Sequence, residues 1–323
     1  EGLTNAGNFS TDGGTIKLDG NYPTGTCNVA LGDNALGSGS LSGDFNTAVG
    51  TNALLANTSA DANTAIGRSS LCSNTTGNCN TGLGMNALLG NTEGFGNVAV
   101  GRSSMVANTT GDNNVAVGQN SLVSNTTANN NTAVGTCSLA SNTTGDQNTS
   151  VGYESLKANT TGINNSAVGQ QSLTANTTGC NNAGLGRLAL TANTEGDENV
   201  AVGSCSLRRN TTGNYNTSLG ACSLMCNTTA SNNTAVGLCA LNVNTTGTSN
   251  VAVGALSLDA NTTASSNTAL GYAALSATTS GADNTAVGRS ALVTNQTGAN
   301  NVAVGRNALL VSTADNNTAV GKD

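Results

Sequence analysis

The chain has 323 residues, of which 8% are charged and 2% aromatic, with no Trp or His, a single Pro and a net charge of −7. Ordinary globular domains carry about 25% charged residues, so a chain this poor in them folds only if its few apolar residues are placed with regularity. The mild acidity offers no basic stripe for nucleic acid, the lack of His excludes Ser-His-Asp and Cys-His catalysis, and no apolar run reaches the ~18 residues of a membrane span.

Residues 1–27 lack a clear repeat. Thr15-Ile16-Lys17-Leu18 alternates like a short strand, with Gly13-Gly14 and Asp19-Gly20 as turns. The segment is expected to be a cap or an assembly strand. The chain begins at Glu1 without Met or a signal-like stretch, as expected of a processed protein or a piece of a longer one.

From Asn28 a repeat takes over. Asn46-Thr47-Ala48-Val49-Gly50 returns at Asn63, at Asn80 and onward every 17 residues to Asn301. Only the first interval, 18 residues, and the last, 16, depart from 17. The consensus is N-T-A-V-G-x-x-S/A-L-x-x-N-T-T-G-x-x, with the first Asn as phase one. Asn, Thr and Gly are poor in helix interiors, whereas Thr and Val suit strands. One unit cannot bury its few apolar atoms alone, but stacked units share ladders and a continuous core. The pattern predicts an all-β fold, a single parallel β-solenoid of about 17 coils spanning 28–323 and ending in an incomplete repeat. At ~4.8 Å per coil the rod is roughly 80 Å long.

Each phase carries an expectation. Phase four is always Val, Leu or Ile, and phase nine is Leu except at Met105. Both are expected to fill the core. Phase two, mostly Thr or Val, shares a strand face with phase four and is expected to point inward with it. Phase three, always Ala, Gly or Ser, then faces outward as a flat strip suited to packing on a neighbouring chain. Phase five is always Gly, as a corner with positive φ requires.

The Asn at phase twelve opens N-x-S/T sequons at Asn57, Asn74, Asn108, Asn125, Asn142, Asn159, Asn176, Asn210, Asn227, Asn244, Asn261 and Asn295. One reading is a line of N-glycans; the other is an Asn ladder bonded between coils. Asn91 and Asn193 keep the Asn but lose the sequon, which favours the ladder, with partial glycosylation as an addition. Asn8, Asn130, Asn164, Asn232 and Asn316 are further acceptors.

Nine cysteines are spread through the chain without a CxxC pair; with so many sequons this favours an oxidising, extracellular setting. Cys205, Cys222 and Cys239 share phase seven on successive coils, so one adjacent pair is within disulfide reach; Cys72 and Cys79 lie seven residues apart, across a corner. Free thiols are the equal alternative. A zinc site at Cys222, Cys226 and Cys239 lacks His and a paired spacing. No catalytic, metal or cofactor site is expected: carboxylates are scattered and phosphate-loop and calcium patterns are absent.

Asn114-Val115-Ala116-Val117-Gly118 with Ser121-Leu122 resembles the head repeats of trimeric autotransporter adhesins of the YadA type. The longer form, Asn131 to Gly135 through Asn142 to Gly145, is also similar to repeats of phage-tail-fibre-like and environmental surface proteins. The resemblance covers about residues 28–321. It implies a left-handed β-roll, often trimeric, on an extracellular fibre at a cell or virion surface, with self-association and host-surface or matrix glycans and proteins as partners. In those heads the small strand residue faces out between two inward apolar ones. The expected function is thus a structural or adhesive fibre component assembling through its ends or flat face. The alternative is an ice-binding solenoid, since Thr recurs at phases two, thirteen and fourteen. That alternative is weakened because phase two is expected to face inward and only one of neighbours such as Thr75 and Thr76 to face out.

Overall fold

The computed structural model describes residues 27–38 and 41–322. The expected N-terminal cap and its strand at Thr15–Leu18 lie outside them. Eighteen strands of three residues form one parallel sheet, from β1 (Val29–Leu31) and β2 (Thr47–Val49) to β17 (Val302–Val304) and β18 (Thr318–Val320). Each strand pairs with the next in sequence, phase on phase, as in Ala48 on Ala65 and Ala65 on Gly82. The 18-residue first repeat and 16-residue last repeat keep this register, with Val29 on Thr47 and Val302 on Thr318. The chain is a β-solenoid with one strand per coil.

The strand faces the opposite way to the expectation. Phase three is inside: Ala48, Ala65, Ala99, Ala116, Ala133 and their equivalents are fully buried, except in the two end strands, where Ala30 and Ala319 are partly covered. Phases two and four point outward; Ile66, Leu185 and Leu270 are each exposed by more than 40%. The reason is room. Phase eight, always Ala or Ser, lies against the phase-three residue of the following coil. A Cβ built on Gly184 would sit 2.6 Å from the Ser172 hydroxyl oxygen. Where phase three is Ser, the two hydroxyls bond, as in Ser138 to Ser150 and Ser206 to Ser218, both 2.7 Å. A coil this thin has no place for a Val at phase three.

Leu at phase nine is the large apolar side chain inside, fully buried from Leu54 through Leu292 with Met105 in the same role. It adopts a left-handed backbone in every coil, φ 47–53. Phases seven and seventeen share that conformation, and the phase-five Gly has φ 127–140. β-Branched residues are the least tolerant of positive φ. None occurs at phases seven, nine or seventeen in any coil, although Thr and Val abound elsewhere. This is why the core column is Leu or Met and never Ile or Val.

Two Asn columns complete the interior. At phase one, Asn46 Oδ1 accepts the backbone N–H of Asn63 at 2.9 Å, and Asn46 Nδ2 donates to the Ala60 carbonyl at 2.8 Å. At phase twelve, Asn91 Nδ2 donates to Asn74 Oδ1 one coil below and to the Gly94 carbonyl in its own coil, at 2.8 and 2.9 Å. A buried amide without partners costs about 1–3 kcal/mol, so these columns fix the stacking register as strictly as the strands do.

The column has one break, at Thr278. Its hydroxyl donates to the Asn295 carbonyl at 2.8 Å, but Asn261 Oδ1 beneath it is buried without a partner. Thr278→Asn is therefore expected to raise stability by about 1 kcal/mol through the restored bond, read as an increased midpoint in chemical denaturation.

A second gap lies at phase ten, where Asn242 and Asp259 on adjacent coils both leave Oδ1 buried and unpartnered. Burial pushes the Asp259 carboxyl above its ordinary value of 3.8. A raised carboxyl pKa favours the fold below the unfolded value and withdraws that contribution as pH rises through the folded one. Asp259→Asn is expected to raise the melting temperature at neutral pH. The gain should vanish in acid below the ordinary carboxyl value, where the native side chain is also neutral.

Candidate interaction face

The outer surface of the sheet is the feature a function can be built on. Every strand puts two residues there, at phases two and four, and across all eighteen strands these are only Val, Leu, Ile, Thr, Ser and Ala. The ranks stand ~6.8 Å apart along the strand and repeat every ~4.8 Å along the rod. The flanking rank, phase six, is mostly polar or bulky, with Ala at Ala221 and Ala255. It carries Arg68, Arg102, Arg187, Arg289 and Arg306, and Arg289 lies over the Tyr272 ring of the coil below, 6.0 Å from its centroid. The arrangement is an uncharged stripe with a mixed polar rim.

Thr at phase two thus faces outward, contrary to the sequence expectation. Of the neighbouring Thr pair, phase thirteen is half-buried with its hydroxyl donated upward, as Thr75 Oγ1 to the Thr92 carbonyl at 3.0 Å. Phase fourteen, as at Thr76, is exposed.

The sequon Asn residues do not form a surface line. Asn57, Asn74, Asn108, Asn125, Asn142, Asn159, Asn176, Asn210, Asn227, Asn244, Asn261 and Asn295 are all fully buried. Their amide nitrogens, the atoms a glycan would occupy, are committed within the coil, as Asn159 Nδ2 is to Asn142 Oδ1 and the Gly162 carbonyl. A sugar there has no space, so the ladder reading holds for the folded rod. The exposed sequon asparagines are those at phase seventeen: Asn130, Asn164, Asn232 and Asn316. Asn8 lies outside the described residues.

All nine cysteines are free thiols. Cys205, Cys222 and Cys239 do stack on one phase. Cys72 and Cys79 carry no bridge, and the Cys72 thiol is pushed up by burial alone. Among the described residues, no group of three or more His, Cys, Asp or Glu could hold a metal ion, and no helix is long and apolar enough to cross a membrane.

A sequence reader could have found the facing of the strand from phase three. A position restricted to Ala, Gly and Ser in every copy is one with no room. A solvent position varies as phases six and ten do. No protein-family model matches the chain. No curated protein matches it either.

Proposed function

We propose that the chain is a structural rod that associates with a second copy of itself through the outer surface of the sheet, as a fibre or adhesive component outside the cell or on a virion. The observation that carries this reading is the uncharged double rank at phases two and four, unbroken over eighteen strands. A stripe roughly 80 Å long and 10 Å wide offers about 800 Å² per copy, the size of a standard stable interface. Its phase-four rank is apolar in every strand, phase two is mostly Thr or Val, and contiguous exposed apolar surface beyond a few hundred Å² marks an interaction site. Its ~4.8 Å period selects the occupant: a second copy matches it coil for coil, so two faces can interdigitate along their whole length as stacked sheets do. The resemblance to adhesin heads and fibre repeats supports an extracellular setting and a host-surface or matrix partner for the assembled rod. The strand here is turned the other way from those heads, so the contact face is the β-branched pair and not a strip of Ala.

Sedimentation of the native chain and of Val117→Lys/Val151→Lys/Leu185→Lys tests this. The native chain is expected to associate at micromolar concentration. The triple variant, altered only at outward positions, is expected to run as a monomer with an unchanged far-ultraviolet spectrum. A native chain that stays monomeric at high concentration contradicts the reading.

One observation favours a second reading, ice binding: the phase-two Thr rank, as at Thr132, Thr149, Thr217 and Thr234, faces outward on a regular sheet. Thermal hysteresis decides it, and none at high protein concentration removes it.

A further inference from the structure

Three cysteines occupy one phase on three consecutive coils. Cys205, Cys222 and Cys239 have the same backbone, φ 59, 55 and 54. The Cys222 N–H donates to the Ser204 carbonyl and the Cys239 N–H to the Ala221 carbonyl, each at 3.0 Å, so each residue sits directly over the one below. Adjacent Cα atoms are then about 4.8 Å apart, within the ~4.4–6.8 Å range of disulfides. Cys205 and Cys239, two coils apart at about 9.6 Å, fall outside it. All three thiols are partly exposed and free. Burial is the main cause that pushes the Cys222 thiol up, and its neighbours Cys205 and Cys239 add to it while Arg208 opposes it.

We propose that this column is a thiol–disulfide site in which Cys222 is the shared partner, bridging to Cys205 or to Cys239 but never to both. Closure converts two thiols to one disulfide and releases two protons and two electrons. A small disulfide such as oxidised glutathione takes them up and leaves as two thiols. The third cysteine, as thiolate, can then attack the Cys222 sulfur and expel the first, moving the bond one coil along the rod without net oxidation. Parallel side chains one coil apart place the Cβ atoms at about 4.8 Å, wider than the ~3.5–4.5 Å a relaxed disulfide prefers. The bond is therefore strained and readily reduced, as befits a switchable bond more than a permanent staple.

Cys137 is the internal control. It has the same phase and a φ of 56, but the residues below and above it in the column are Asn120 and Glu154. With no thiol one coil away it cannot bridge within the chain.

The test is incubation of the full chain with oxidised glutathione, digestion with trypsin and chymotrypsin without reduction, and peptide mapping by mass spectrometry. Arg208, Arg209, Leu224 and Leu238 provide cleavage points between the three cysteines. Both Cys205–Cys222 and Cys222–Cys239 linked peptides are expected, while Cys137 is found only free or glutathionylated. Cys222→Ser should abolish both links and leave Cys205 and Cys239 glutathionylated. Cys205→Ser and Cys239→Ser should each keep the remaining link. Ser already stands at this phase in Ser69, Ser103 and Ser290, so the coil accepts these variants. A column that is glutathionylated or unreacted without internal links, a native chain that yields only one of the two links, or a Cys205–Cys239 link in Cys222→Ser would each overturn the proposal.

Discussion

Gly169→Ala is expected to destabilise the rod by at least about 3 kcal/mol, far beyond a typical surface substitution. Gly169 has φ +127, a region that residues with a Cβ rarely adopt, and a Cβ there would lie 2.7 Å from the carbonyl carbon and oxygen of Gly186. The backbone strain alone is of order 1–3 kcal/mol, and the clash is with main chain that cannot rotate away. In a stack where each coil touches only its neighbours, one spoiled interface weakens both. Thermal unfolding should therefore show a lowered, broadened transition as the two half-rods lose their coupling. Gly162→Ala is the matched control. Its added Cβ would also meet main chain, the Gly179 carbonyl, but φ there is not in the positive region. Ala already stands at the same phase in Ala128, Ala230 and Ala264, so the coil can shift to accept it. Its effect should be several-fold smaller.

Leu156→Ile is the second large effect. The side chains have the same volume, and core swaps that conserve volume usually cost less than about 1.5 kcal/mol. Here the cost should reach about 2–4 kcal/mol, because Leu156 is held at φ 48 and a β-branched residue in the left-handed region adds its own strain. Leu156→Met should cost little, since Met105 fills the same place at φ 53. Urea denaturation of the three proteins separates the explanations. If packing alone governs the site, Ile and Met behave alike. If the backbone governs it, only Ile is severe.

The fold was legible in the period. Asn46, Asn63 and Asn80 at intervals of 17 place one strand per coil, and the sheet pairs those strands in that register. The Leu column and the Asn ladder were legible too, because a buried apolar residue and a self-bonding amide each leave a residue type that hardly varies. The facing of the strand was not. Val49 and Leu83 look like core residues by hydrophobicity, and a period of two allows either face. What decides is the width of the coil: at Gly82 a Cβ already meets the Ser70 hydroxyl, the Leu71 side chain and the Ala87 carbonyl, so phase three has room for nothing larger than Ala or Ser. The candidate face was hidden for the same reason, since hydrophobicity alone places Val49 and Leu83 in the interior. The left-handed positions carried a negative signal, the missing β-branched residues at phases seven, nine and seventeen, which is read only when absences are compared between phases.

The orientation of the strand underlies the core, the ladder and the proposed contact face together. Introduced cysteines test it most directly. In a chain whose native cysteines are replaced by Ser, Ala133→Cys and Val134→Cys differ by one position on the same strand. Maleimide labelling is followed by mass spectrometry, at a dilution that keeps copies apart. Ala133 is fully buried, whereas Val134 is half-exposed on the outer face. The thiol at position 134 should label within minutes and that at 133 should stay protected until the rod is denatured. Rapid labelling at 133 with protection at 134 would contradict the account.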